Sequence, residues 1–352
     1  MLQPLVIPNA FYWSQWQAEH SLFANSYFFT APSGNAVVDP LPLDEAARGE
    51  IERLGGVAKI LVTNPDHARE ATAFAERYGA VIVDAPQHEE EVLPGMIAIR
   101  LQDQMSDCEF AVNLPEHRTV VVGDSILGTP AGGLSMLSDG KYRDVRKAAL
   151  GLRRILRANP RVLLVCHGQS IYEGAYDALY RLLYARAGAE VHRINLDELE
   201  FRGERDEHDA QPKQFRCLDA EVGFVIGARK LGYRVSTLQP GKVFCPLHGH
   251  AREEELFFVL DGEPSVRTLS GTLKCRKGDF VALPVGESGT HQLLNQSDAP
   301  ATVLLLARNE DVEACYYPDS DKLLVDADVA LIKGRDSILV QGSPILDYFH
   351  GE

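Results

Sequence analysis

In the stretch His-Gly-His-Ala-Arg-Glu-Glu-Glu, His248 and His250 stand two apart, and Glu255 ends the run. Residues two apart in a strand project from one face, so both imidazoles point the same way. Glu255 has the opposite parity to His250. The chain over 251–254 must therefore bend before the apolar run Leu256–Leu260 for the carboxylate to converge on the same point. His291, in Thr-His-Gln-Leu-Leu-Asn, opens another strand with Leu293 and Asn295 on its face. Three neutral imidazoles and one carboxylate leave a divalent ion with a net charge of about +1 and open positions, the donor set of metal-assisted chemistry. Such donors suit iron, manganese, nickel or zinc and do not choose among them. Cys245, three residues before His248, reads as a small buried hydrophobe beside a complete histidine and carboxylate set.

A weaker group lies in the first half. His67, Glu109, Asp124 and His167 carry side chains able to bind one metal ion or an anion and form a second candidate site. The segment Thr63-Asn64-Pro65-Asp66-His67-Ala68-Arg69 also has a reading without metal, with Asn64 as a helix N-cap, Pro65 at the first helical position and Asp66 at the positive end of the dipole. Arg69 has no lone pair to give a cation, and suits a carboxylate or phosphate instead.

The elements that must carry these residues differ between the halves. Up to about residue 200, strand-like runs (SYFFTA, NAVVDP, KILVTN, AVIVDA, RTVVVGDS, RVLLVCHG) alternate with helical ones (HAREATAFAERYGA, DVRKAALGLRRILRANP, SIYEGAYDALYRLLYARAGA), as in a layered α/β domain with its site at the strand ends. Residues 201–216 are charged and poor in apolar side chains, which predicts a solvated linker. From 217 to 352 the signals are short strands punctuated by Gly, Pro and Asp, with no long helix, as in a β-barrel or sandwich. At 352 residues the chain also exceeds the ~250–300 at which a single core stops growing. The expected domains are therefore 1–200 and 217–352.

Lys and Arg number 35 against 50 Asp and Glu, a formal charge of −15, so nucleic acid and anionic membrane surfaces are poor partners. The six cysteines occur singly, without a CxxC pair, which fits a reducing compartment. The N-terminal stretch lacks a basic region and is broken by Pro4 and Pro8, so it does not read as a signal peptide. No apolar run approaches the ~18 residues of a membrane helix, and the expected location is cytoplasmic. Phosphate-loop, dinucleotide and nucleophile-elbow motifs are absent.

From Gly241 through His248, His250, Glu255 and Gly262, then Gly278, Pro284, Gly286, His291 and Asn295, the sequence resembles both motifs of the cupin superfamily. Two spacings depart from the family. Six residues instead of five separate Gly241 from His248, and four instead of two separate Gly286 from His291. Tyr-Pro-Asp-Ser-Asp-Lys (317–322) and the tyrosine-containing C-terminus, DYFHGE, resemble one cupin subgroup, that with a YPDSxK segment. Over roughly residues 20–185, Asp39, Thr63, Gly123-Asp124 and His167-Gly168 resemble the metallo-β-lactamase fold. The loop that is Thr-His-x-His-x-Asp-His in that family has Asn64, Asp66, Ala68 and Arg69 in its ligand positions.

These resemblances imply a two-domain α+β protein, with an N-terminal αβ/βα metallo-β-lactamase-like sandwich that has lost its metal ligands and a C-terminal cupin β-barrel, or jelly roll. They imply one divalent ion held by His248, His250, Glu255 and His291, and a small oxygenated substrate such as an organic acid or sugar-like molecule. The reaction class stays open among oxygenase, isomerase and lyase chemistry. Two other readings stand beside it: a metal- and ligand-binding or sensing protein without turnover, and a hydrolase using the residual N-terminal site. Barrels of this kind expose sheet edges, which predicts a homodimer.

Overall fold

A computed structural model of the chain describes residues 2–203, 212–215, 217–327 and 337–342. Most of the expected linker and the terminal DYFHGE lie outside the described residues. The chain divides into two compact units, Met1–Arg193 and Ile194–Glu352. Among the described residues, no helix is long and apolar enough to cross a membrane.

The first unit holds two sheets. One has six strands in sequence order: β1 (Gln3–Pro4), β2 (Ala10–Gln17), β3 (Leu22–Phe29), β4 (Ala36–Val38), β5 (Lys59–Leu61) and β6 (Val81–Val83). The other contains β7 (Glu91–Leu93), β8 (Met96–Arg100), β9 (Phe110–Leu114), β10 (Thr119–Val122) and β11 (Val162–Val165), in the order β11-β10-β9-β8-β7. Strict side-chain alternation assigns each face. Phe29, Val38 and Leu61 join Ala98, Val112, Val121 and Leu164 in one core between the sheets. Their neighbours Phe28, Val37 and Ile60 face the other way, against Ala47 and Ile51 of α1 (Glu45–Arg53) and Phe74 of α2 (Ala71–Tyr78). On the second sheet, α4 (Arg153–Arg157) packs on β8 and α5 (Ala175–Ala187) on β11, with α3 (Val145–Gly151) against α5. Strands covered on both faces read as unbroken apolar runs, which is why β10 and β11 are buried throughout.

Two helices depart from the expected spans. The segment around His67 forms a short 3-10 turn, Pro65–His67, capped by Asn64, and α2 begins only at Ala71. Arg69 between them takes φ +27°, which no α-helix accommodates. The run from Asp144 to Asn159 divides at Leu152 into α3 and α4. The C-terminal ends of β4, β5, β10 and β11 lead directly into Asp39, Thr63, Asp124 and His167.

The second unit is built of antiparallel strands: β12 (Leu218–Glu221), β13 (Leu231–Leu238), β14 (Gly249–His250), β15 (Glu255–Asp261), β16 (Ser265–Thr268), β17 (Gly271–Lys274), β18 (Phe280–Leu283), β19 (His291–Leu294), β20 (Ala301–Arg308), β21 (Val312–Tyr317), β22 (Lys322–Ala327) and β23 (Ser337–Gln341). The expected barrel is not one closed sheet. Its strands divide into β12-β13-β20-β15-β18, β14-β21-β22-β23 and β17-β16-β19. Phe257, Val259, Leu283, Val303 and Leu305 from the first of these pack with Val266 and Leu293 from the third. Ladder pairing between the sheets is confined to single bridges, His248 with His291 and Val243 with Leu294.

Phe257 is 2% exposed at the centre of this core, and its ring stands edge-on to His291 with 5.2 Å between centroids. Phe257→Ala is expected to lower the stability of the second unit by about 3–5 kcal/mol. Leu273→Ala, at a half-exposed position, changes it by no more than about 0.5 kcal/mol. Denaturant unfolding of the two variants provides the measurement.

Candidate functional site

The bend anticipated over 251–254 is held by a single carboxylate from another strand. Glu313 of β21, 6% exposed, accepts hydrogen bonds from the backbone N–H groups of Ala251 (2.7 Å), Arg252 (3.1 Å) and Glu253 (3.0 Å). Three successive amides turned toward one anion form a concave nest. This turn ends β14 and starts β15 in a different sheet, so His250 and Glu255 meet despite their opposite parity. β21 is itself paired with β14, Cys315 standing opposite His250 and Tyr316 opposite Gly249. His291 arrives from β19 after a short turn, Glu287–Gly289. A Cβ on Gly289 would lie 1.6 Å from the Pro284 carbonyl oxygen, so only glycine closes the turn. The longer Gly286-to-His291 spacing forms this turn.

The structure brings His248, His250, Glu255 and His291 together, with one donor atom from each within 4.8 Å of the others. Each ring is oriented from behind. Nδ1 of His248 donates to the Pro246 carbonyl at 2.9 Å, and Nδ1 of His291 to the Gly289 carbonyl at 2.8 Å. Nδ1 of His250 lies 3.3 Å from Cys315 Sγ and 3.7 Å from Glu313 Oε1. With these protons on Nδ1, the neutral rings keep their lone pairs on Nε2. Nε2 of His250 and of His291 are buried without a hydrogen-bond partner, 3.6 and 2.8 Å from Glu255 Oε2. When the rings are neutral, electron pairs thus converge on electron pairs, an arrangement that a cation at the centre satisfies. The donor set therefore fits a divalent metal ion.

Protonation relieves the same repulsion when no metal is bound. Burial alone disfavours charged His250, but Cys315 and the nearby Glu255 carboxylate raise it to about 10. His248 falls to about 4 through burial and the neighbouring His291 and His250. Burial pushes Glu255 up, but His250 and His291 outweigh it and hold the carboxyl below its usual range.

Sequence reasoning missed Glu313 and Cys315, because nothing in their spacing signals that β21 will lie beside β14. Tyr317, noted in the sequence, stacks on His248 at 5.7 Å, and its hydroxyl is pushed up to about 12 by burial and the nearby Cys315 and Cys245. Tyr316, half exposed, hydrogen-bonds Asp321. Cys245 lies 3.5 Å from His248 Nδ1, behind the ring. Asn295 closes its own turn, donating to Leu238 and Ala299 and accepting from Ser297.

In the first unit, His67, Asp124 and His167 also converge, with donor atoms within 4.8 Å. Glu109 does not join that group. It is buried, accepts a hydrogen bond from Ser125, and burial raises its carboxyl. The cluster already contains its own cations. Arg69 Nη2 donates to His167 Nε2 at 3.0 Å, and His167 Nδ1 donates to Asp124 Oδ1 at 2.6 Å, so both ring nitrogens are used. His67 lies between two carboxylates, Nδ1 at 2.7 Å from Asp39 Oδ2 and Nε2 at 3.3 Å from Asp124 Oδ1. Asp39 also accepts from Thr63 Oγ1 at 2.5 Å and Cys166 Sγ at 2.9 Å. Burial opposes charge on His67, yet Asp39 and then Asp124 raise it to about 9, leaving it an imidazolium at neutral pH.

Residues 2–185 match the family model described as the metallo-beta-lactamase superfamily, and residues 234–307 match that of the cupin domain. Among solved structures, the chain is similar to a sugar phosphate isomerase from a cupin superfamily of Silicibacter pomeroyi, at 25% identity over 44% of this chain and 96% of that one, with a TM-score of 0.37. It is also similar to a putative sugar phosphate isomerase of Acidithiobacillus ferrooxidans, at 21% identity over 45% and 98%, with a TM-score of 0.38. A predicted oxalate decarboxylase of Thermotoga maritima gives 17% identity over 34% and 99%, with a TM-score of 0.29. No curated protein matches the chain.

Two outcomes follow from this geometry. Glu313→Ala strips the Arg252 and Glu253 amides of their acceptor, leaves Ala251 N–H with the Ala314 carbonyl alone, and is expected to destabilise the second unit by about 1–3 kcal/mol, with Glu313→Gln costing less, as read by denaturant unfolding. His67 has a folded value of about 9 above an ordinary 6.5, so its stabilisation is fully present below pH 6.5 and is lost as pH rises through about 9. Thermal melting of the first unit should fall across that window in the wild type and flatten in His67→Asn.

Proposed function

Because the chain belongs to the metallo-beta-lactamase superfamily through residues 2–185 and carries a cupin domain over 234–307, we propose that it is a metalloenzyme whose chemistry lies in the second domain. In this reading His248, His250, Glu255 and His291 hold one divalent ion, and a small oxygenated molecule, such as an organic acid or sugar-like compound, is the substrate. The observation that carries it is the convergence of buried, unpartnered Nε2 atoms on the Glu255 carboxylate. A bound divalent ion supplies Lewis acidity and open positions for oxygen donors. The chain supplies the rest. Pro246 and Gly289 carbonyls lock the tautomers of His248 and His291, and the Glu313 nest keeps His250 and Glu255 converged. Tyr317, protonated throughout the physiological range, places a neutral phenol ring against His248.

In the first domain, the imidazolium of His67 lies between Asp39 and Asp124, and Arg69 donates to His167, which in turn donates to Asp124. This supports a domain that is stable without a metal centre and argues against the hydrolase reading. One observation favours ligand capture without turnover. Glu253 and Glu313, the carboxylates described around His250 besides Glu255, lie on its Nδ1 side, away from the converging donors. Turnover of a bound organic acid or sugar by the metal-loaded protein separates catalysis from capture.

Elemental analysis of protein purified anaerobically without a histidine tag should give close to one iron, manganese, nickel or zinc per chain. His250→Ala should lose it and Asp124→Ala should keep it. Loss in Asp124→Ala, or no metal even after reconstitution, refutes the assignment. Metal uptake displaces one proton from His250, so apparent affinity should rise about tenfold per pH unit below pH 10, as read by competition with a chelator.

A further inference from the structure

The first unit contains a cleft of ≈ 910 Å³ that the metal chemistry does not use. Its size is at the upper end of the ~300–1,000 Å³ typical of small-molecule sites. Six aromatic residues line it, and three of them are exposed: Trp16 from β2, Phe23 from β3, and Tyr172 from the loop after β11. They are 53%, 51% and 39% exposed, an unusual concentration of uncovered ring surface in one concavity. Trp16 and Phe23 hold each other edge to face, with centroids 5.1 Å apart.

Apolar residues such as Leu22, Pro42, Ala47 and Ala131 share the lining with amides and hydroxyls such as Gln15, Gln169 and Ser14, and the polar part is almost wholly uncharged. Among the described lining residues there is no Lys, Arg or His, so nothing there compensates a phosphate or carboxylate. The one acid, Asp44, is committed to capping α1 through the Ala47 N–H at 2.6 Å.

The wall is also preformed. Gly168 N donates to the Phe23 carbonyl at 2.8 Å, and Gln169 N to the Gly128 carbonyl at 2.8 Å. A Cβ on Gly128 would lie 2.0 Å from the Gln169 oxygen, and one on Gly168, whose φ is +87°, 2.4 Å from the Gly128 oxygen. The two loops therefore interlock without side chains between them, which fixes Gln169 and Tyr172 against the β2–β3 hairpin.

We propose that this cleft binds a neutral saccharide. Pyranose rings offer an apolar C–H face to an aromatic ring and a rim of hydroxyls that both donate and accept. Amide side chains match that rim, because each carries a donor and an acceptor. An anionic sugar finds no Lys, Arg or His among the described lining residues, and a flat aromatic ligand would leave the amides unmatched. The site is separate from the metal reading and stands or falls independently of it.

Saturation-transfer NMR and calorimetry on the full chain, with maltotriose, cellotriose and xylotriose at up to about 10 mM, provide the test. The expected result is saturable binding of at least one trisaccharide, unchanged by a metal chelator. Binding should weaken about tenfold or more in Trp16→Ala and in Tyr172→Ala, whose side chains are exposed enough to be removed without unfolding. Gln169→Ala, which leaves the rings in place, should weaken it less. No binding of any trisaccharide, binding by both aromatic variants as tight as by the wild type, or tighter binding of a hexose phosphate or of indole overturns the proposal.

Discussion

Four electron-pair donors facing one another in a buried space are unstable unless a cation lies between them, and the second unit is organised around that constraint. His291 Nε2 stands 2.8 Å from a Glu255 oxygen with its own proton committed to a carbonyl on the far side of the ring. Relaxing this contact would require turning either side chain. His291 is held by the Gly289 turn and the edge of Phe257, and Glu255 by the bend that Glu313 caps. The surroundings hold the arrangement in place whether or not a proton joins its members. Such a site is preorganised for an ion and takes up a proton when none is present.

The first unit solves the opposite problem with similar residues. Asp39 and Asp124 are carboxylates in a buried region, and burying them without positive charge would be costly. His67 provides that charge from within the chain, and Arg69 donates to His167 beside it. The backbone is strained where it does so, with Asp39 at φ +48° and Arg69 at +27°. The hydrogen bonds of Asp39 to Thr63, His67 and Cys166 hold its carboxylate in that conformation. One fold position thus uses imidazole and carboxylate in an internally neutral network, while the other leaves lone pairs exposed to a common centre.

Much of the architecture could be read from the pattern of side chains. The apolar runs of β10 and β11, the helix of α5 and the succession of short strands after residue 217 follow from periodicity and from Gly and Pro punctuation. Helix boundaries were less legible. Propensity does not reveal that Arg69 adopts a positive φ or that the helix divides at Leu152, since both are imposed by neighbours distant in sequence. The closure of the second domain was also overestimated, because alternation identifies strands but not which of them share a ladder.

The amino-acid sequence by itself determined which residues carry the donor atoms that converge in the second unit. The parity of His248 and His250, the bend before Glu255 and the position of His291 at a strand start are local properties, written in spacing. Only the tertiary structure decided what stands behind each ring and what stands across from it. Glu313 and Cys315 reach His250 through the pairing of β21 with β14, more than 60 residues apart in the chain (|i−j| of 65 for Cys315). Arg69 reaches His167 across 98 residues. Such partners are set by packing and sheet register, which depend on the whole chain, so the donors are legible in sequence but their tautomers and charges are not.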